Sequence, residues 1–304
     1  IIYILKRNIA EIKFYKMLKH TISLIRIKHW VKNALIFLPA FFGGVIHEVK
    51  NIELLFVTFL YFSLSASLVY IVNDLIDINK DKLHPQKKNR ALASGAISKK
   101  GAFILMGVVL SIVCAASFYL PIKVVYVTSI YLVLNLMYSL YLKTIPILEL
   151  FIIALGFVFR ILIGGFTVEV APSKWIIMLT FFAALYIILS KRRGEILNKE
   201  ALNTRKVLSA YTEAYLTHAM VIVLSVSILS YIMYTVEPSV IKQFSTDKIY
   251  MTSIFVILAL LRHLQQTLVY NNTESPVKYL FKDKLMLVII LMWFINYYIL
   301  IYSI

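Results

Sequence analysis

The sequence predicts an all-α, polytopic membrane protein, and three observations carry that expectation. Of 304 residues, 61% are hydrophobic and only 15% charged, against roughly 45–50% and about 25% in an ordinary soluble domain. Apolar runs long enough to cross a bilayer recur from one end of the chain to the other, and the loops between them are short and polar. That excess of apolar side chains cannot be hidden inside a soluble globule, so the chain reads as one transmembrane domain over 32–304, preceded by a basic segment over 1–31.

Residues 6–28 interleave Lys6, Arg7, Lys13, Lys16, Lys19, Arg26 and Lys28 with Ile, Leu, Phe and Tyr. This pattern suits an interfacial helix and equally a solvated lead-in. About nine spans of roughly 17–22 residues follow, at 32–48, 52–72, 101–120, 123–142, 146–166, 174–190, 215–235, 249–269 and 285–303. Each should be helical, because backbone polar groups in lipid must find partners within their own segment. An odd number of spans puts the loops after the second and sixth on the side of the N-terminus. Those loops carry Lys80, Lys82, Lys87, Lys88 and Arg90, then Lys191, Arg192, Arg193, Arg205 and Lys206. By the positive-inside rule they are cytoplasmic, so the expected location is the cell (inner) membrane with the N-terminus inside. Residues 1–5 show no initiator Met and no small-residue cleavage site, so no secretory signal is evident and a start further upstream is expected.

The formal charge of +17 lies in these loops rather than on a soluble face, which argues for membrane orientation and anionic substrates and against nucleic acid. Cys114 is the single cysteine and sits mid-span, excluding an internal disulfide and a Cys-rich metal site. His20, His47, His218 and His263 have no partners at ligand spacing; His29 and His84 gain interest only from their neighbourhood. The sequence has no Gly-rich phosphate loop after a strand, no Walker-type Lys and no Ser-His-Asp elbow, which removes the usual support for a hydrolase or a nucleotide-driven pump.

The strongest local signal closes the second span: Asn73-Asp74-Leu75-Ile76-Asp77-Ile78-Asn79-Lys80-Asp81. Residues four apart share a helix face, so Asn73, Asp77 and Asp81 align as hard oxygen donors suited to Mg²⁺. Such a set is weak alone, but Mg²⁺ completes its shell with water and substrate phosphates. The continuation Lys82 to Gly95 is cationic and ends in a small turn, supplying the charges that polyphosphate binding requires. A solvated loop of balanced charges is the bland alternative. In the sixth loop, Ser190-Lys191-Arg192-Arg193-Gly194-Glu195 offers at most Glu195 and Glu200 as carboxylates; its cations can hold phosphate directly, or serve topology alone. Arg160, deep in an apolar span, should face inward, toward substrate or toward an acid such as Glu149 or Glu169. Asn135 and Tyr138 could line a cavity, although a Tyr at a span end is commonly an interfacial anchor.

The 73–81 ladder and the Lys87-to-Gly95 segment strongly resemble the first aspartate-rich motif of the UbiA-type prenyltransferase superfamily and the Lys-x-x-Arg-Pro-Leu-Ala-Ser-Gly-like stretch after it, with Ala91 where Pro is usual. The second Asp-rich motif of the lipid-diphosphate prenyltransferases is replaced by the cationic 190–195 loop. That loop, with 26–33, Asn135–Ser139 and Lys143, Gly156–Arg160, Arg205–Tyr211, Glu274–Pro276 and Asp283–Leu285, resembles the decaprenyl-phosphate phosphoribosyltransferase branch.

The resemblance implies a nine-helix bundle around a central cavity open to the cytoplasm. It implies a Mg²⁺-dependent transferase moving 5-phosphoribosyl from phosphoribosyl diphosphate to a polyprenyl phosphate for cell-envelope glycan precursors. Asn73, Asp77 and Asp81 would be catalytic through the metal. Lys28, Lys32, Asp74, Lys87, Arg90, Asn135, Tyr138, Arg160, Lys191, Arg192 and Glu195 would bind substrate. Membrane lipids are the remaining partners, and a homo-oligomer is compatible with the sequence. The rivals are a conventional prenyltransferase acting on an aromatic acceptor and, more remotely, a lipid or solute transporter.

Overall fold

The computed structural model describes residues 15, 17–83, 87–197, 206–272 and 282–302. Among these residues there is no strand, and eight helices are long and apolar enough to cross a membrane. In chain order the α-helices are α1 (Leu38–Phe42), α2 (Val49–Ile76), α3 (Ile78–Leu83), α4 (Lys99–Ser117), α5 (Ile122–Leu140), α6 (Leu148–Thr167), α7 (Lys174–Leu197), α8 (Glu213–Thr235), α9 (Pro238–Phe244), α10 (Ser253–Leu268) and α11 (Lys284–Tyr302). Local chemistry sets several of their starts. Ser98 caps α4 by accepting from the Gly101 N–H at 3.1 Å, Thr212 caps α8 by accepting from Tyr215 at 3.1 Å, and Pro238 opens α9 where its missing N–H costs nothing.

The expected span 32–48 takes a different form. Ile27–Phe37 is a 3₁₀-helix of 11 residues, followed by the five-residue α1 and a turn. Pro39 lacks an N–H, and Gly44 takes φ +72°, so a continuous α-helix cannot run through this stretch. At about 2.0 Å rise per 3₁₀ residue the composite still extends about 30 Å, comparable with the hydrocarbon core. Such a long 3₁₀ run needs outside support, and side chains provide it. Trp30 Nε1 donates to Ser67 Oγ at 3.2 Å and Asn33 Nδ2 donates to Ser63 Oγ at 2.8 Å, tying the segment to α2. On its other flank Gly164 of α6 is required: a Cβ there would lie 2.0 Å from the Ile36 carbonyl oxygen.

The chain divides into two compact units, residues 1–140 with 159–171 and residues 141–158 with 172–304. The first is built on Ile36, Leu55, Phe62, Val124, Tyr131 and Ile163, all buried. The second is built on Leu150, Ala154, Tyr186, Leu189, Leu216 and Met220. In the second unit, His263 is satisfied in the core, with Tyr186 Oη 3.0 Å from its Nδ1. Phe103, Ile104 and Val108 on α4, and Val288, Leu291 and Tyr298 on α11, are exposed apolar side chains, as a lipid-facing surface requires.

Candidate active site

In the first unit α2 ends at Ile76 and α3 begins at Ile78, with Asp77 between them at φ −94°, ψ 8°. The Asp77 N–H still donates to the Asn73 carbonyl at 2.9 Å and the Asp81 N–H to the Asp77 carbonyl at 2.8 Å. The four-residue register therefore survives the break, and Asn73, Asp77 and Asp81 follow one another at helical spacing.

Their side chains have different environments. Asn73 and Asp77 are half-buried, whereas Asp74 and Asp81 are buried. Arg90 Nη1 bridges those two, 2.7 Å from Asp81 Oδ2 and 3.1 Å from Asp74 Oδ1, while Arg26 Nη2 also donates to Asp74 Oδ1. The Arg26 guanidinium lies 4.6 Å above the Tyr70 ring. Lys80 Nζ stands 4.0 Å from Asp77 Oδ1.

Packing aims Arg90 at the acids. Ala91 and Leu92 are buried against Leu24, Ile71 and Ile78, and the loop folds back through Ser94 N–H to the Arg90 carbonyl (2.8 Å) and Ile97 N–H to the Ala91 carbonyl (3.0 Å). Gly95, at φ +75°, closes that turn. Asp81, read as an open ligand, and Arg90, read as a phosphate binder, thus stand in one ion pair, because a carboxylate this buried needs a cation. Among the described residues no three His, Cys, Asp or Glu side chains are gathered to hold a metal by protein ligands alone.

Arg160, the intramembrane cation, is buried in the first unit and its Nε donates to Asn33 Oδ1 at 2.8 Å. Its guanidinium faces the rings of Phe62 at 5.0 Å and Tyr131 at 5.7 Å. Asn33 therefore joins Arg160 of α6 to Ser63 of α2. On α5, Asn135 Nδ2 bonds back to the Tyr131 carbonyl at 2.8 Å, and Tyr138 is half-buried one turn on. Lys28 is exposed; Lys32 and Lys87 are half-buried.

In the second unit the cationic loop is the last part of α7. Arg192 is almost fully buried and grips Glu149 with two bonds, Nε to Oε1 at 2.7 Å and Nη2 to Oε2 at 2.6 Å, while Nη1 donates to Glu195 at 2.7 Å. Arg193 donates to Glu213 at 2.6 Å and to the Thr267 carbonyl at 3.1 Å, linking α7, α8 and α10. Lys191 alone of the three is exposed. Glu149, offered above as a partner for Arg160, belongs to Arg192. At the start of α6, Ile147 takes φ +67°, a strained value for a β-branched residue, and its N–H donates to Tyr211 Oη at 2.6 Å. Burial pushes the Tyr211 phenol up, against the lowering effect of that bond.

Glu213 was missed by the sequence reading, which named Glu149 only as a partner for Arg160, Arg193 only as one of the 190–195 cations, and Arg26 and Asn33 only within the 6–28 and 26–33 segments. Arg26 and Asp74 are 48 positions apart and Arg192 and Glu149 are 43 apart, distances at which no periodicity speaks. A rule that every buried arginine requires an acid would have found part of the set. Lys6, Arg7, Lys13, Lys16, His84, Glu200, Arg205 and Glu274–Pro276 lie outside the described residues.

Comparison with known proteins agrees with this architecture. A decaprenyl-phosphate phosphoribosyltransferase of Mycobacterium tuberculosis is 30% identical over 222 residues, 71% of this chain and 74% of that protein. One from Mycolicibacterium smegmatis is 29% identical over 201 residues, and the match spans 63% of that relative's length and 64% of this chain. Among solved structures, a UbiA homolog from Archaeoglobus fulgidus bound to GPP and Mg²⁺ has a TM-score of 0.68 at 14% identity, covering 94% of this chain and all of that one, a likeness of fold. The model of the UbiA prenyltransferase family matches residues 36–290, and the chain belongs to that family.

Proposed function

We propose that this membrane transferase moves a 5-phosphoribosyl group from phosphoribosyl diphosphate to a polyprenyl phosphate of decaprenyl type, at the cytoplasmic side of the cell membrane, for envelope glycan precursors. The observation that carries the reading is the 30% identity, over 71% of this chain, to a relative named for decaprenyl-phosphate phosphoribosyl transfer. A second observation supports it. The acids beside the 191–193 cations, Glu149 and Glu195, are both bound to Arg192, so this loop is poorly suited to a second carboxylate-held metal.

The donors of the 73–81 ladder, an amide and carboxylates with no His or Cys, fit a hard divalent ion such as Mg²⁺. Asn73 and Asp77 would hold it, with water and phosphate oxygens completing the shell. When bound it would neutralise charge on the diphosphate leaving group. The bond from the ribose anomeric carbon to the diphosphate oxygen breaks, its electron pair leaving with the diphosphate, and a lipid phosphate oxygen forms the new bond. That oxygen is already ionised near neutral pH, so no strong general base is required. The chain's contribution is to position and to stabilise charge. Lys28, Lys32, Lys87 and Arg90 of the first unit are proposed phosphate contacts, with Asn135, Tyr138 and Arg160 of the same unit proposed to line a substrate cavity; Lys191 of the second unit is proposed, by itself, as a phosphate contact.

The test is to incubate the lipid-reconstituted protein with Mg²⁺, phosphoribosyl diphosphate and polyprenyl phosphate, then mass-analyse the lipid extract. A lipid carrying added phosphoribose is the expected result. Absence of that product, with prenyl transfer from a polyprenyl diphosphate to an aromatic acceptor instead, overturns the reading in favour of a conventional family member.

A further inference from the structure

We propose that Arg90 is a latch on Asp81 which an incoming diphosphate opens, so that anion and metal each admit the other. The inference rests on the functional reading above only in needing a diphosphate substrate.

Three observations on one cluster lead to it. The side chains of Asp74 and Asp81 are only 4% and 5% exposed, whereas the Arg90 side chain that joins them is 31% exposed. An anion in solution can therefore reach the cation while the acids stay covered. Second, the two acids are unequally provided for. Asp74 keeps Arg26 if Arg90 departs, whereas among the described residues Asp81 is paired with Arg90 and with no second cation. Third, Asp81 holds helical register with Asp77 through its N–H, so its carboxylate is one turn beyond a donor already half-open.

A buried carboxylate stripped of its cation is strongly unfavourable. Moving Arg90 onto a phosphate therefore requires a replacement positive charge at Asp81, and a divalent cation is the available kind. Conversely, a metal arriving alone finds Asp81 occupied and has Asn73 and Asp77 only. Because coupling between two binding events is reciprocal, the diphosphate tightens the metal by the factor with which the metal tightens the diphosphate, typically about 5–150-fold. The latch makes the enzyme bind the pair and disfavours metal without substrate.

The test uses the full-length protein in detergent, with Mn²⁺ as a spin-active stand-in for Mg²⁺ and inorganic pyrophosphate as the anion; bound Mn²⁺ is read by electron paramagnetic resonance after subtracting the soluble pyrophosphate complex. The variants are Asp81→Asn, Arg90→Gln and the double substitution, each checked by thermal unfolding. Without pyrophosphate, Asp81→Asn should leave Mn²⁺ affinity within about twofold of the parent; with pyrophosphate the same change should weaken Mn²⁺ by about tenfold or more. In the Arg90→Gln background, Asp81→Asn should weaken Mn²⁺ by that factor even without pyrophosphate. If Asp81→Asn weakens Mn²⁺ equally with and without pyrophosphate, Asp81 is an ungated ligand and the latch is wrong. If it weakens Mn²⁺ in neither condition, Asp81 only anchors Arg90, and the latch is again wrong. Should Arg90→Gln fail to fold, the comparison of parent and Asp81→Asn with and without pyrophosphate decides alone. No phosphoribosyl substrate is used, so failure of the transferase reading leaves this result standing, and failure of the latch leaves the transferase reading standing.

Discussion

Two ion-pair networks, one in each unit, are assembled from the same parts and differ in what encloses them. In the second unit, Arg192 and Glu149 have side chains 2% and 0% exposed and meet through paired hydrogen bonds. In the first, Arg90 is 31% exposed and one of its nitrogens is divided between two acids. Bidentate geometry in a dry interior leaves little freedom to exchange partners, which suits a cross-brace between α6 and α7. A shared, partly exposed cation can trade a carboxylate for a phosphate when a metal ion takes its place on the carboxylate, which suits a substrate site. The lesson is that abundance of cations does not locate an anion site; their burial and prior commitments do.

The largest effect expected from breaking this contrast is at the brace. Glu149→Ala leaves Arg192 buried without its main acid and should destabilise the protein by about 3–5 kcal/mol, seen as a collapse of the thermal transition in detergent; a near-parental transition would mean that the pair is ornamental. On the exchangeable side, Asp77→Asn should keep the parental melting temperature yet lower turnover by about 100-fold or more. Normal turnover would remove Asp77 from the metal site. Gly164→Ala forces a methyl group into the Ile36 carbonyl and should cost about 1–3 kcal/mol in stability; because the displaced segment begins beside Arg26, activity should fall further than global unfolding accounts for. Lys191→Ala should raise KM for one of the phosphate-bearing substrates by about tenfold with little change in melting, separating this exposed cation from its two buried neighbours; unaltered KM for both would assign it to topology.

The smallest effect lies outside both networks, at Asp283. Partial burial pushes its carboxyl up, but hydrogen bonds from Arg262, the Met286 N–H and Gln266 outweigh that and bring it below the usual carboxylate range. A depressed folded value means that its stabilisation is complete above the unfolded value of about 3.9 and is lost as pH falls through the folded one. The melting-temperature gap between the parent and Asp283→Asn should therefore be steady near neutrality and close in acid. A gap that widens on acidification contradicts the sign.

Much of the helical layout was legible in the sequence because it depends on local quantities. The span expected at 215–235 is Glu213–Thr235, that at 123–142 is Ile122–Leu140, and that at 249–269 is Lys248–Leu268 with its 3₁₀ lead. The stretch 32–48 escaped this logic. Its apolarity is ordinary, and what makes it 3₁₀ is Pro39, Gly44 and side-chain ties to residues about 30 positions away. The 73–81 ladder was visible for the same reason the helices were: four-residue spacing survives the break at Asp77.

Composition, span length and spacing were therefore enough to determine a membrane-embedded helical chain and to display the Asn/Asp ladder at the end of its second expected span. Bilayer thickness and the 3.6-residue turn act on neighbouring residues, and neighbours are what a sequence displays. Only the tertiary structure decided which partner answers each cation: the carboxylate of Asp81 for Arg90, the carboxylate of Glu149 for Arg192, and for Arg160 the neutral amide of Asn33 with the rings of Phe62 and Tyr131 rather than the acids first considered for it. Those choices follow from the penalty for burying an unpaired charge, and that penalty is set by whatever the fold brings alongside, from any distance along the chain.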